Sequence, residues 1–337
     1  MKKLVISCIV VVFSALSLFS NSEELKNISG PYLGQDSPGD VPEYFAPGIV
    51  TDIFREHSAT LFTPDGKEVF WTRVINQGQE NRVDVIMHMK EINGVWTAPE
   101  LAPFNKFPAS HIDCISPNGK RIYFRTRYWN KETDSWNYGK WIVDKTENGW
   151  SEARPNDLKI DWDKKMYLIQ ETRSGNVYFQ SELINGDSKI GFYCSKLVDG
   201  KYEKPIALDE SINSKNLDYA FFVDPDEEYI IFSSNRPGGY MQTDMYISYH
   251  QSDDSWGSAI NLGEKINTAG DGVSNWPQVS PDKKYLFFTT LKLPFKDIEE
   301  KNYTFSELKR RTLSYENGQG KIYWVSADFI KKLKPEK

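Results

Sequence analysis

Thr63-Pro64-Asp65-Gly66-Lys67-Glu68-Val69-Phe70-Trp71-Thr72 is the stretch that decides the fold. Proline presets φ for the second position of a tight turn, aspartate bonds the local backbone, and glycine takes the positive φ that closes the turn. The aliphatic and aromatic run behind it has strand composition. The ten residues are a turn followed by the second arm of a hairpin.

The unit recurs. Ser116-Pro117-Asn118-Gly119 precedes Ile122-Tyr123-Phe124, and looser copies are Arg173-Ser174-Gly175 before Val177-Tyr178-Phe179, Asp224-Pro225-Asp226 before Ile230-Ile231-Phe232, and Ser280-Pro281-Asp282 before Leu286-Phe287-Phe288. Five copies at about 52 to 56 residues have the period of propeller blades. A third strand follows in each unit: Val83 to Met89, Lys140 to Asp144, Ile190 to Ser195, Asp244 to Tyr249 and Ile322 to Ser326. Four units then show a turn and an aromatic, Trp96, Trp150, Tyr202 and Trp256, which predicts the start of a fourth strand. The fifth unit runs out before that point, whereas Tyr44 to Thr51 stands ahead of the first unit where a fourth strand belongs.

The expected fold is therefore all-β: a five-bladed β-propeller of four-stranded antiparallel blades, closed by the N-terminal segment completing the last blade. Closure removes open sheet edges. It makes one domain of residues 44–328, behind an N-terminal extension at 23–43 and ahead of a basic tail at 329–337. The Thr-Pro-Asp-Gly-Lys and Ser-Pro-Asn-Gly-Lys turns, together with Phe232-Ser-Ser-Asn-Arg-Pro-Gly-Gly239 and Asp244-Met-Tyr246, resemble the TolB-type, WD-like propeller repeat of exported bacterial proteins. That resemblance implies a periplasmic or cell-surface location and contact with proteins or glycans, without implying one activity. Unit three departs from it by lacking Pro-Asp, unit four by Glu227 and unit five by Lys283 in the glycine place.

Met1-Lys2-Lys3, an apolar run from Leu4 to Phe19 and Ser20-Asn21-Ser22 are the three parts of a signal peptide, which predicts cleavage after Ser22 and a periplasmic or secreted protein with no membrane span after removal. A retained anchor would be short for a span, and Cys8 of Val5-Ile6-Ser7-Cys8 lies too early for lipid attachment. Cys114 and Cys194 fall on different units and are expected to be buried free thiols. With 41 basic against 47 acidic residues and a formal net charge of -6, the chain has no basic tract to follow a phosphate backbone, so nucleic acid is not an expected partner. Cys-x-x-Cys, His-Glu-x-x-His, Walker and Gly-x-Ser-x-Gly patterns are missing, which removes several enzyme classes.

Register turns sequence position into place. The Pro-Asp-Gly turns lie on one face, so the starts of first strands and ends of second strands meet at the opposite channel mouth. First-strand starts supply Arg55, Glu56, His57, His111, Asp113, Tyr167, Asp218, Tyr219, Asn275 and Trp276; second-strand ends add Arg73, Arg125, Arg127, Asn235 and Arg236. Arginine forks suit carboxylate and sulfate. The expected function is a binding or assembly module holding a protein segment or an anionic glycan, and the alternative is a glycan-active enzyme at the same mouth. A polyuronate lyase would use His57, His111 or Tyr167 as base; a hydrolase would pair acids among Glu56, Asp113 and Asp218. Against both stands the plain account, in which the arginines satisfy neighbouring acids. No cofactor is implied, although His57, His111 and Asp113 or Asp218 could meet around a divalent metal. Tyr128-Trp129-Asn130 and the insertion from Leu291 to Gly320 are expected as loops on the mouth face. Within the insertion, Phe305 to Arg311 has helical composition, with a solvated loop as the simpler alternative.

Overall fold

The computed structural model describes residues 28–58, 60–77, 81–182 and 190–336. The expected signal peptide at 1–22, Cys8 and the first residues of the extension lie outside them. Five antiparallel sheets succeed one another along the chain as the blades of a β-propeller. Their innermost strands are Arg55–Glu56 with Leu61–Phe62, Ser110–Ile115, Ile169–Glu171, Asp218–Val223 and Asn275–Val279.

The five turns superpose in role. Gly66, Gly119 and Gly175 carry φ of 70°, 70° and 87°. In blades four and five Glu227 and Lys283 hold the same left-handed place at φ 59°. A non-glycine residue there costs about 1 kcal/mol, and each side chain offsets it by bonding the preceding blade. Glu227 accepts from Thr172 (2.9 Å), Ser174 (2.5 Å), Asn176 (3.1 Å) and Tyr178 (2.7 Å), donors that hold its carboxyl below the ordinary range against its burial. Lys283 reaches Asp224 and Asp226 of blade four, at 2.9 and 3.0 Å. The departures from glycine are interblade clamps.

The outer edge differs from expectation. Trp96, Trp150 and Tyr202 close two-residue returns, and the fourth strands proper come later as Glu100–Leu101, Arg154–Pro155, Ile206–Ala207 and Ile260–Asn261. The aromatics, as their recurrence at one place in the repeat also predicts, pack as wedges against the preceding blade. Trp150 meets Phe70 and donates to Glu68, and Trp256 meets Tyr178. Trp96 has no earlier blade in sequence and donates to Gly30 of the N-terminal segment.

That segment fills the place between blades five and one. Tyr32 packs edge-on against Phe62 and Tyr285, and its hydroxyl donates to Asp282. Leu33 is buried beside Phe45, Trp71 and Trp324. Glu43–Tyr44 is then the outer strand of blade five, with Glu43 opposite Trp324 and Tyr44 opposite Tyr323.

Tyr128-Trp129-Asn130 is no loop, because the second strand of blade two runs on to Asn130 and pairs in register with Ser135 to Asp144. Phe305–Thr312 is a helix, its start fixed by a capping box in which Thr304 and Glu307 bond each other's backbone N–H. Cys114 and Cys194 are both free and buried.

Candidate functional site

Three inner strands carry a bulge at the mouth. Register slips between Ile112 and Cys114, Tyr219 and Phe221, and Asn275 and Gln278. The extra residues are Asp113, Ala220 and the Trp276-Pro277 pair, with Ala220 and Trp276 at positive φ of 45° and 56°. Bulges re-aim side chains.

Of the expected ring, one part is spent on architecture. Arg73, across the strand pair from Glu56, donates to its carboxylate at 3.0 Å and to the Val50 carbonyl at 2.8 Å. Arg236 donates to Asp218 (3.0 Å), to the carbonyls of Ser211 (3.0 Å) and Ile212 (3.1 Å), and lies over Phe232 and Tyr246. Asp218 also accepts from the Ser214 backbone and hydroxyl, both at 2.7 Å. Arg125 pairs with Asp113. An inner-strand acid tied to an arginine from the next strand is thus repeated in blades one, two and four. The three acids that a paired-carboxylate hydrolase would need are the same three that hold these arginines.

The remainder gathers between blades one, two and five. The rings of His57 and His111 are 4.4 Å apart, and Trp276 stands 5.0 Å from His57 with Arg125 over its face at 5.4 Å. Asp84, fully buried at the start of the third strand of blade one, lies 2.8 Å from His111 Nε2, 2.6 Å from Arg82 Nε and 3.9 Å from Arg127 Nε. Burial and the positive charge of Arg125, Arg127, Arg82 and Arg55 hold His111 neutral, far below its ordinary range. Burial, His111, Arg125 and Arg55 do the same to His57. Burial pushes Asp113 up to about 7 against the pull of Arg125 and Lys140, and lowers Lys140 itself to about 8. Burial likewise raises Glu56 to about 7 against Arg73 and the buried Lys321. Sequence reasoning missed Asp84, Arg82 and Lys321, at third-strand starts, and Lys140, which lies within the third strand of blade two opposite Arg125. Register places third-strand starts on the same face as first-strand starts and second-strand ends.

The other expected residues lie farther round. Tyr167 sits just ahead of the blade-three inner strand, its N–H donating to the Gln180 carbonyl and its ring 5.6 Å from Tyr138. Tyr219 precedes the blade-four bulge, and the Asn235 side chain accepts from the Leu217 backbone at 2.8 Å. Asn275 pairs with Thr289 on blade five. Among the described residues no three His, Cys, Asp or Glu side chains are placed to hold a metal ion, so His57, His111 and Asp113 or Asp218 do not form the expected kind of metal site. No helix of the described residues is long and apolar enough to cross a membrane.

No family model and no curated protein sequence matches the chain. Solved structures are similar to it. One described as a glycoside hydrolase has a TM-score of 0.51 at 10% identity, over 94% of this chain and 96% of its own. An α-L-arabinofuranosidase from Lactobacillus brevis gives 0.43 at 12%, over 82% and 92%. An endo-arabinase from Bacteroides thetaiotaomicron VPI-5482 gives 0.41 at 13%, over 76% and 93%. At such identities the likeness is one of fold.

Proposed function

We propose that the protein is an exported binding propeller whose mouth, between blades one, two and five, takes an anionic ligand. One observation carries this reading: Arg55, Arg82, Arg125 and Arg127 all act on one neutral histidine, His111, with Lys140 close by, while Asp84 and Asp113 are the acids set among them. Cations gathered at a concave, partly desolvated mouth favour carboxylate or sulfate. The resemblance of the turns to TolB-type repeats and the leader-like residues 1–22 support export to the periplasm or beyond. The test is titration with oligogalacturonate and dextran sulfate against neutral dextran. Affinity for the polyanions should fall steeply with salt, and Arg55→Ala should weaken it about tenfold, or about 1.4 kcal/mol. Equal affinity for all three polymers overturns the reading.

A catalytic version has one observation behind it. His57 is neutral, and its Nδ1 is buried and without a hydrogen-bond partner. In the tautomer that carries its proton on Nε2, this nitrogen could take the proton α to a uronate carboxylate held by the arginines; the electron pair would form the new double bond and expel the glycosidic oxygen, with no co-reactant. Absorbance of an unsaturated uronate on incubation with polyuronate, lost in His57→Ala, tests it. A hydrolase draws less support, because Glu56, Asp113 and Asp218 each serve an arginine.

A further inference from the structure

Beside the cationic mouth is a cavity of about 260 Å³, small for a ligand pocket. Its walls come from blade five (Asn275, Trp276, Thr289, Thr290) and blade one (Arg55, Glu56, His57), and its roof is the end of the insertion, Gly318 to Gly320. The roof is tied down. Arg55 donates to Gln77 at 3.0 Å, Gln77 donates to Gln319 at 2.6 Å, and Asn317 donates to the Ile53 carbonyl at 2.7 Å. A Cβ on Gly320 would come within 2.8 Å of the Glu56 carbonyl and 3.0 Å of Thr289, so only glycine lets the roof sit this low. The cavity therefore exists before any ligand arrives.

Buried polar atoms are nearly always hydrogen-bonded. Here Glu56 Oε2, His57 Nδ1, Asn275 Oδ1, Thr289 Oγ1 and Thr290 Oγ1 are all buried and without partners, and all five residues line this one cavity. Two of the five atoms are acceptors, two are hydroxyls, and the neutral imidazole nitrogen takes whichever role its tautomer sets. Arg55, the one cation of the lining, already donates to Gln77, and a carboxylate or sulfate would face the lone pairs of Glu56 and Asn275. Groups that both donate and accept, closely spaced around a small ring, are what this lining lacks.

We infer that the cavity is a subsite for the hydroxyl groups of one uncharged sugar ring. Trp276 is the partition: its indole belongs to the cavity wall and carries Arg125 on the charged side. The inference deepens the proposal of an anionic ligand and rests on it for the second half of the ligand. A chain with an acidic residue at the arginines and a neutral sugar next to it would fill both places, and the ligand is then a glycan, not an acidic peptide.

The experiment is saturation-transfer NMR on the full mature chain with neutral methyl glycosides of glucose, galactose, mannose, xylose and arabinose, repeated with Thr289→Val, a change that keeps shape and removes one hydroxyl. At least one glycoside should show transfer from the protein, and Thr289→Val should weaken its binding at least fivefold while the melting temperature stays within a few degrees. Asn275→Asp, which keeps shape and replaces the amide by a charge, should weaken it similarly. Absence of transfer from every glycoside, or transfer that neither variant changes, overturns the subsite and leaves the cavity to water. The outcome is separable from that of the anionic mouth. Variant-sensitive transfer without polyanion binding keeps the subsite and defeats the charged reading, and polyanion binding without such transfer does the reverse.

Discussion

Two corners of the channel mouth are built from the same materials and finished differently. In blade four, Asp218 and Arg236 bond each other and are surrounded by donors and acceptors: two serines, two carbonyls and two aromatic faces. Between blades one and two, Asp84, His111 and Arg82 are equally enclosed, yet Asp84 Oδ1, His111 Nδ1 and Arg82 Nη2 lack hydrogen-bond partners. Arginine and acid at a propeller mouth do not by themselves mean a site. What distinguishes one is incompleteness, polar atoms withdrawn from water and left without protein partners.

The strongest way to break this contrast is Arg236→Ala. It strands a buried carboxylate and two carbonyls, and should cost about 3–5 kcal/mol of unfolding free energy by denaturant titration, with polyanion affinity per folded molecule unchanged. A cost below about 1 kcal/mol would mean that the blade-four corner is not structural.

Next in size is a pH effect on the blade-two side. Burial pushes Asp113 up to about 7 in the fold, above its value when unfolded. Its folded value is the raised one, so its contribution is full at low pH and is lost as pH rises from about 4 to about 7. Asp113→Asn lacks that loss, so variant minus wild-type stability should climb by roughly 3 kcal/mol across this window, whatever the constant offset. His57 and His111 act in the other sense, their depressed values costing stability as pH falls below about 6.5. A flat difference between wild type and Asp113→Asn would remove Asp113 from the set of perturbed groups.

Smaller still is Arg55→Ala, which gives up an exposed hydrogen bond to Gln77 and is expected to change stability by about 1 kcal/mol or less and to weaken dextran sulfate binding about tenfold. It is the mirror image of Arg236→Ala, and matching phenotypes would erase the distinction between the corners. Least of all is Lys283→Gly on the turn face. Relief of the left-handed φ, together with the backbone N–H groups that Asp224 keeps, offsets much of the loss of one pair with the buried Asp224 and one half-exposed pair with Asp226, so the net cost should be about 1 kcal/mol, with binding untouched.

Much of this was legible in the sequence. Pro-Asp-Gly spacing predicts the blades, and register alone brings Glu56, His57, His111, Asp113 and Trp276 to one mouth. What it does not reveal is how each arginine is held, since Arg236 is tied to two carbonyls of a distant loop besides its acid, whereas Arg125 pairs with an acid of its own blade. The bulges at Asp113, Ala220 and Trp276 have little local signature, because a single extra residue leaves the apolar alternation nearly intact. Trp96 and Trp150 suggest fourth strands because strand and wedge favour the same residue type. Asp84 could have been found by asking which third strands carry a charge within their first two residues.

The seam between first and last blades has a temporal side. Glu43 bonds Trp324 across 281 residues of chain, and Tyr32 wedges against Tyr285 in the same place. A ribosome makes Glu43 long before Trp324, so through nearly all of synthesis the ring is a horseshoe with both ends bare. Contacts this remote in sequence form slowly, and unpaired strand edges are sticky while they wait. The last twenty or so residues thus work as a completion signal. A chain truncated just short of Lys321 would keep four whole blades and most of its mouth residues and still have nothing for its first strand to join.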